Sequence, residues 1–568
     1  MNTNDAIFIF SLGPVQGFIA EARRLGDLDA GSRLLVKLAT AAGVAIQNKG
    51  GSLIFPAKLG DDVPNKLVAR VPADSVEAIA QTAQQVIQTE WQKYVSNTRQ
   101  RMAANGPFTD NVWKTVWNRQ VNSFWETYWA AAPENGDYHA AYDAASRAFD
   151  AAKRTRTFPQ IEEGGVKDSL SGRRSALHTG DMKAQDYWAQ VAKSPNITRA
   201  ELRPGGRERL DAIGAIKRWG GLVKSSPSVS LIAAADFMAA AKKEKSALAM
   251  YRDIVEKSPL GDYLFPVSSD VDWPYGGDLF FLETLTPERL GDSYGLEQSD
   301  AGPLEVVRQN LRSLYRKVNS RPRPYYAIIA LDGDGMGRMV NNCRTEGEHQ
   351  SLSQNIIAFA GKVRPLVEKH LGHTVYAGGD DVLALAPLST ALPLAQELAV
   401  EFHNVVGGTA SAGIAAAHRL YPLSATLRAA REAERQAKQV TGKATLCVRV
   451  LKRSGETVDA RTTWAAMDDT FKQLVNLFQN QAISSKMAYA AVEVAYALPF
   501  ADESFESELR RQLRRHRHPT KWTESEDAWA ATLRTWAEHL PDRPPDKKTA
   551  ELGRWLTLAR FVAQGGAE

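Results

Sequence analysis

A Gly-Gly-Asp-Asp turn between two apolar runs restricts the fold of this chain more than any other feature. Residues 375–383 read VYAGGDDVL, and the flanking runs have the character of short buried strands. Gly378 and Gly379 can supply the positive φ of a tight hairpin and let a nucleotide approach the backbone. Asp380 and Asp381 repel each other, and divalent cations are the simplest compensation. For this tetrapeptide alone, a solvent-exposed turn is an equally good interpretation.

A second motif places another aspartate at the end of an apolar run. Residues 325–331 (YYAIIAL) are typical of a buried strand, and Asp332 begins the glycine-rich turn that follows. The intervening segment has room for one crossover helix, so Asp332 can lie beside Asp380 and Asp381. Such carboxylates hold two cations about 3.5–4 Å apart, which activate the attacking hydroxyl and stabilise the leaving pyrophosphate. Together, the two motifs favour a two-metal nucleotidyl-transfer site on a palm-type domain.

Four further residues are candidates for the same site. The backbone N–H of Gly333 can bind phosphate, and Asp334, past the strand end, is a further candidate metal ligand. Ser411 lies in a predicted strand and is a candidate contact for the base. Lys438 lies in a helix predicted over 423–440, from which it could reach a triphosphate. A salt-bridged surface helix is the alternative interpretation of that segment.

The order of predicted elements divides the chain into four parts. At 568 residues the chain is too long for one core. Residues 1–135 follow the order strand–helix–strand–strand–helix, typical of an α+β domain with an antiparallel sheet. The pattern is mostly helical over residues 136–320. Strands and helices again alternate over residues 321–457, and residues 458–568 are predicted to be helical without strands. The expected fold class is α+β, with two similar units separated by a helical insert and followed by an all-helical C-terminal domain.

The composition excludes several classes of protein. No window approaches the ~18 consecutive apolar residues of a membrane span, and the N-terminus lacks the features of a signal peptide, so a cytoplasmic protein without a membrane partner is expected. Cys343 and Cys447 cannot form a disulfide framework or a cysteine-based zinc site alone. The net charge of +5 does not by itself indicate nucleic acid, but three short basic runs are consistent with a polyanionic partner.

Longer stretches around these motifs resemble a known family. The resemblance is carried by DGDGMGRMV (332–340), YAGGDDVLAL (376–385), SAGIAAAHRLYPLSATLRAAREAERQAK (411–438) and RVLKRSGE (449–456). This combination resembles the large, palm-containing subunit of type III-B (Cmr) CRISPR effector complexes. The N-terminal stretch SLGPVQGFIAEARRLGDLDAGSRLL (11–35) is similar to that family's first, catalytically inert palm.

The resemblance implies a fold and a function. The fold would contain two ferredoxin-like palm domains. The complex would carry a CRISPR RNA, and pairing with target RNA would activate the second palm to polymerise ATP into cyclic oligoadenylate, a second messenger. Neighbouring Cmr subunits would include a small helical subunit docked on the C-terminal domain. The implied site residues are Asp332, Asp380 and Asp381 for two Mg²⁺ or Mn²⁺ ions, with Asp334 as a further candidate ligand, Gly378 and Gly379 for the nucleotide, and Lys438 for phosphate.

The chain departs from the family pattern in two ways. Many members begin with an HD nuclease domain, whereas this sequence starts at the first palm and contains no His-Asp dipeptide, so no nuclease activity is expected. The four cysteines of the family's two zinc knuckles are replaced by Asp168, Ser171, Asp211 and Gly214, a set that cannot bind structural zinc tightly. The helical insert is therefore expected to be held by packing, without zinc.

Alternative functions remain open at this point. A close variant would join AMP from ATP to another acceptor such as S-adenosylmethionine. A second alternative is a catalytically silent structural subunit, against which the retained acidic residues of the second palm argue. A free-standing enzyme of the diguanylate-cyclase type is disfavoured by the tandem palm, the large insert and the helical tail.

Overall fold

The first α+β unit is built on a four-stranded antiparallel sheet. The computed structural model describes residues 5–105, 109–155, 163–194, 196–198, 201–296, 304–467, 469–498, 503–541 and 545–566. The strands are β1 (Asp5–Gly13), β2 (Ser52–Phe55), β3 (Lys66–Pro72) and β4 (Glu126–Pro133), and the helices are α1 (Gln16–Ala20), α2 (Leu25–Asn48), α3 (Val76–Asn105) and α4 (Asn111–Asn122). The spatial order β2-β3-β1-β4 is that of a ferredoxin-like sheet. The first palm-like unit is thereby confirmed.

The fourth strand of this sheet was not among the predicted elements. β4 pairs only with β1 and lies at the edge of the sheet. Most of its residues are only partly buried, because one side of an edge strand remains open. Its apolar–polar alternation is therefore weak, and sequence pattern alone did not reveal it.

The insert is helical, as expected, and its first helix covers the second face of the first sheet. Ile7 and Ile9 of β1 pack there against Tyr142 and Phe149. The helices of this part of the chain are α5 (Tyr138–Arg154), α6 (Ala184–Val191), α7 (Ala212–Trp219), α8 (Val229–Ala233), α9 (Ala235–Ala241), α10 (Lys245–Lys257), α11 (Pro287–Tyr294) and α12 (Leu304–Val318).

The predicted zinc-knuckle positions are engaged in other contacts, among them an ion pair between Asp211 and an arginine. The guanidinium of Arg174 forms ion pairs with Asp211, which is almost fully buried, and with Glu21 of the first unit. Asp168 accepts hydrogen bonds from the backbone N–H groups of residue 170 (2.8 Å) and Ser171 (2.6 Å). A fixed cation and occupied carboxylates do not fit a zinc ion. The expectation that packing alone holds the insert is corrected: an ionic network also ties it to the first unit.

The second α+β unit repeats the strand order of the first and extends it. Its strands are β5 (Tyr325–Gly333), β6 (His373–Gly378), β7 (Asp381–Pro387), β8 (Ala410–His418), β9 (Thr445–Leu451) and β10 (Thr457–Thr463), in the order β10-β9-β8-β5-β7-β6. Its helices are α13 (Met336–Asn342), α14 (Glu346–Lys369), α15 (Ala391–Val406) and α16 (Leu423–Lys438). α14 and α15 pack on one face, and α16 packs on the other. β6-β7-β5-β8 corresponds to β2-β3-β1-β4, which confirms two ferredoxin-like units.

One prediction about the end of this unit is wrong. The chain was expected to be helical without strands after about residue 458, but β10 spans Thr457–Thr463 and pairs with β9. Like β4, it is a partly exposed edge strand with few apolar residues.

The C-terminal region is helical within the residues described after β10. Its helices are α17 (Asp469–Gln479), α18 (Lys486–Ala497), α19 (Glu503–His516), α20 (Glu526–His539) and α21 (Pro545–Ala563). Trp555 of α21 donates from its indole nitrogen to the carbonyl of Arg461 in β10 at 2.8 Å. This contact joins the helical region to the edge of the second sheet. Nowhere in the described ranges is a helix both long and apolar enough to cross a membrane.

Direct contacts hold the two α+β units against each other. Arg70 of β3 donates to Glu346 at the start of α14 (Nε to Oε2, 2.6 Å). The hydroxyl of Tyr138, in the insert helix α5 that packs on the first sheet, lies 2.6 Å from Nδ1 of His349. Because α14 leads into β6, these contacts orient the glycine–aspartate hairpin toward the first unit.

Candidate active site

The two glycines of the hairpin are required for different reasons. Gly379 has a φ of +68°, which favours glycine because it has no Cβ. Gly378 has ordinary backbone geometry, but the ring of Tyr376 folds back over it, and a Cβ at this position would collide with that ring. The hairpin therefore depends on one glycine for its turn and on the other for its packing against an aromatic ring.

Asp332 lies directly opposite Asp381 in the pairing of β5 with β7, as the two motifs predicted. Directly opposite residues in an antiparallel pair point to the same face of the sheet. The backbone N–H of Gly333 donates to the carbonyl of Asp380 at 3.2 Å, and a Cβ on Gly333 would lie 3.0 Å from the Cβ of Asp380. The fold therefore brings all three predicted aspartates to one end of the central strands.

Two cations from α16 hold two of these three carboxylates. Arg431 donates to both carboxylate oxygens of Asp381, at 2.9 and 3.2 Å, and also to Glu434 at 3.0 Å. Lys438 forms an ion pair with Asp332, and its Nζ lies 3.7 Å from Glu434. Burial, with a smaller contribution from Lys443, lowers the pKa of Lys438 to about 8.

Arg431 and Glu434 are site residues that sequence reasoning did not identify. With Lys438 they follow the spacing i, i+3, i+7, which places all three side chains on one face of α16. That helix approaches β8 closely at Gly413, where a Cβ would collide with the backbone of Glu434 and Ala430. The spacing, the glycine and the strands were visible in the sequence, but the packing of this helix face against the ends of β5 and β7 was not.

Asp380 lies in a different environment from Asp332 and Asp381, which each form an ion pair with a cation of α16. Burial raises the pKa of its carboxyl to about 6, and the charges of Asp381 and Glu434 add to the effect. Within the described ranges no ion pair is formed by Asp380, and no group of three or more His, Cys, Asp or Glu side chains there is arranged to hold a metal ion. The oxygen donors of Asp332, Asp380 and Asp381 still suit Mg²⁺ or Mn²⁺, provided that the cations of α16 move away.

Two predicted residues lie outside this arrangement. Asp334 is buried and accepts hydrogen bonds from Thr409 Oγ1 (2.9 Å), Ser411 Oγ (2.9 Å) and the N–H of Ala444 (3.0 Å). Ser411 is completely buried. Asp334 therefore joins the ends of the strands, and the proposed contacts of Asp334 with metal and of Ser411 with a base are corrected, because their polar atoms are already used.

A cavity of about 760 Å³ lies between the two units at the hairpin. Gly378, Gly379, Asp380 and Asp381 line it from the second unit, whereas Asp332 lies just beyond its lining. The first unit and α5 contribute aromatic rings and cationic side chains, including Phe55, Tyr128, Tyr142, Lys66 and Lys153. The cavity thus combines carboxylates, aromatic surface and positive charge.

Comparison with known proteins agrees with this geometry. Residues 325–447 match the family model described as "Cas10/Cmr2, second palm domain", and residues 7–63 match "CRISPR-associated protein Cmr2, N-terminal". The curated "CRISPR system Cmr subunit Cmr2" of Pyrococcus furiosus is 29% identical over 243 residues, 37% of this chain and 27% of that protein. The match thus spans about a quarter of the length of this relative.

Two solved structures share the fold at low sequence identity. A subunit of the type III-B Cmr-beta complex in its apo state has a TM-score of 0.66 and 13% identity, covering 100% of this chain and 82% of that one. The same complex bound to cognate target RNA gives a TM-score of 0.64 and 13% identity, with 99% and 83% covered. Both family models match parts of the two α+β units described above, and over these parts the chain is similar to the Cas10/Cmr2 family of CRISPR-associated proteins.

Proposed function

We propose that this chain is the RNA-activated nucleotidyltransferase subunit of a type III-B CRISPR ribonucleoprotein and polymerises ATP into cyclic oligoadenylate. The observation that carries the proposal is the convergence of Asp332, Asp380 and Asp381 beside a cavity of about 760 Å³. Carboxylates at the ends of two central strands, with cations on the adjacent helix, suit phosphoryl transfer better than an inert scaffold.

The residues of the site have separate tasks in this proposal. Asp332, Asp380 and Asp381 would hold one or two Mg²⁺ or Mn²⁺ ions, which supply charge stabilisation and activation of the attacking hydroxyl. Arg431 and Lys438 bind the triphosphate, for which a guanidinium and an ammonium are suitable partners. The absence of a side chain at Gly379 lets the nucleotide approach the hairpin, and Gly378 lets the ring of Tyr376 pack beside it.

The wall of the cavity formed by the first unit would complete substrate binding. Phe55, Tyr128 and Tyr142 present aromatic surface against which an adenine can pack. Lys66 and Lys153 contribute positive charge opposite the hairpin. In this arrangement the first unit supplies binding surface, whereas the carboxylates that act on phosphate belong to the second.

The partners are proposed from the similarity to this family. We infer that the chain binds CRISPR RNA and target RNA within a multisubunit Cmr complex, and that its C-terminal helices contact a small helical subunit. Structural likeness to a subunit of the Cmr-beta complex, which has been observed with cognate target RNA, supports this placement. The division at residues 135, 320 and 457 and the cytoplasmic location belong to the same proposal.

Product identification tests the proposal. The assembled complex is incubated with target RNA, Mg²⁺ or Mn²⁺ and labelled ATP, with and without S-adenosylmethionine, and the products are identified by mass spectrometry. Cyclic oligoadenylate formed only with target RNA is the expected result. An adenylate adduct of S-adenosylmethionine would keep the site and change the acceptor. If no adenylate product forms under any condition, the proposed activity is refuted and the chain is a structural subunit.

A further inference from the structure

Five charged side chains alternate in sign where α16 crosses the ends of β5 and β7. The series runs through Asp332, Lys438, Glu434, Arg431 and Asp381, with an ion pair between each residue and the next. The outer two are strand carboxylates of the proposed metal site, whereas the inner three belong to one helix. The site is therefore largely charge-compensated by the protein itself.

The contact of Arg431 with Asp381 competes with cation binding. Two N–H groups of the guanidinium point at the two oxygens of one carboxylate, the bidentate arrangement that makes such pairs strong and specific. A divalent cation needs the lone pairs of the same oxygens. Asp381 cannot serve both partners fully, and the ion pair between Lys438 and Asp332 sets up the same competition on the neighbouring strand.

Glu434 gives both helix cations a second partner. It contacts Arg431 at 3.0 Å and lies 3.7 Å from Lys438, and its own side chain is only 11% exposed. If Arg431 and Lys438 leave the strand carboxylates, Glu434 keeps them at the site. A triphosphate carries several charged oxygens and is a better partner for the two cations than one carboxylate each.

We propose that Arg431 and Lys438 form an exchange gate. In the nucleotide-free protein the two side chains neutralise Asp381 and Asp332. When a nucleotide arrives, they pair with its triphosphate instead, so that the two carboxylates become free for divalent cations. Glu434 is the positioning residue that retains both cations during the exchange. The proposal rests on the proposed function in taking a nucleoside triphosphate as the ligand. It makes metal and nucleotide binding mutually reinforcing, because each removes a competitor of the other.

Metal binding without nucleotide tests the gate directly. Mn²⁺ is titrated into the purified full-length chain, and free Mn²⁺ is measured by electron paramagnetic resonance. Arg431→Gln is expected to bind Mn²⁺ about tenfold more tightly than the wild type, because Asp381 loses its competing cation. Binding of a fluorescent, non-hydrolysable ATP analogue in the presence of EDTA is expected to weaken about tenfold in the same variant.

Arg435→Gln is the matched control. It removes an equal charge from the same helix, but Arg435 pairs with exposed Glu432. Its Mn²⁺ and nucleotide affinities are expected to stay near the wild-type values. Lys438→Gln gives an independent measurement on Asp332 and decides the outcome if Arg431→Gln is not folded by circular dichroism.

Unchanged or weaker Mn²⁺ affinity in a folded gate variant would overturn the exchange gate and leave the proposed function standing. If the wild type and both gate variants all failed to bind Mn²⁺, the carboxylates would not form a metal site. That result would remove the basis of the proposed function as well as the gate.

Discussion

Asp380 is the carboxylate of the site whose charge the protein compensates least. Burial raises its pKa to about 6, whereas Asp332 and Asp381 each hold a cation of α16. The Gly-Gly-Asp-Asp motif does not distinguish the two adjacent aspartates. Their difference arises from Arg431, fifty residues later in the chain, so sequence could nominate both aspartates but could not assign them separate environments.

The packing of Tyr376 over Gly378 leads to a prediction at the scale of one residue. Gly378→Ala is expected to slow product formation from ATP by about 100-fold, because the added methyl group displaces the ring and the adjacent aspartates with it. The rate is measured in the assembled complex with target RNA. Gly337→Ala, which also lines the cavity but meets nothing within 4 Å, is the control and is expected to retain most activity. Equal rates in the two variants would contradict this role of Gly378.

Among the elements, the sequence identified the strands that build the site and missed two of the four edge strands. Tyr325–Gly333, His373–Gly378 and Asp381–Pro387 agree with the predicted strands because their apolar runs are buried on both faces. Edge strands β4 and β10 were missed because half-exposed strands have a weak pattern. Asp334 was assigned to the metal because the motif does not show that the chain turns toward β8 immediately after β5.

The approach of α16 to β8 predicts a stability defect. Gly413→Ala is expected to lower the free energy of unfolding by about 1–3 kcal/mol, because a Cβ there collides with the helix backbone at Ala430 and Glu434. Denaturant-induced unfolding of the full chain measures it.

Gly361→Ala in α14 is the matched control for this measurement. A Cβ at Gly361 meets nothing within 4 Å, and replacing an exposed helical glycine by alanine is expected to be neutral or stabilising by about 0.5–1 kcal/mol. A Gly413→Ala variant as stable as the control would contradict the close packing of α16 on β8.

At the scale of the whole molecule, the contact between the two units predicts a response to acid. His349 is buried at this contact, and burial lowers its pKa to about 4. The unfolded chain takes up this proton near pH 6.5. The contribution of neutral His349 to the free energy of unfolding is therefore fully present above pH 6.5. It is lost as the pH drops toward 4, since the unfolded state then binds more protons.

Thermal and denaturant unfolding at pH 6.5 and pH 5 measure this effect. His349→Gln is expected to lose about 1–2 kcal/mol less stability between the two values than the wild type. His403→Gln, which changes an exposed histidine, is the control and is expected to follow the wild type. Parallel profiles for all three proteins would contradict the buried, neutral state of His349.

The ionic network of the insert leads to a prediction about metal and stability. Arg174→Met leaves the buried carboxylate of Asp211 without its cation and is expected to cost about 3–5 kcal/mol. Arg173→Met, at an exposed neighbouring position, is expected to cost little. A zinc chelator is expected to leave the unfolding temperature of the wild type unchanged. Stoichiometric zinc in the purified chain, or a drop in unfolding temperature on chelation, would contradict the substitution of zinc by an arginine.

Asp380 and Asp381, together with Asp332, are proposed to perform nucleotidyl transfer in this chain. The most direct measurement compares wild type with the double variant Asp380→Ala/Asp381→Ala in the assembled complex, recording adenylate product and target RNA affinity in the same preparation. The double variant is expected to form no product and to bind target RNA as the wild type does. Product formation by the double variant at a rate near that of the wild type would rule out this role of the two aspartates.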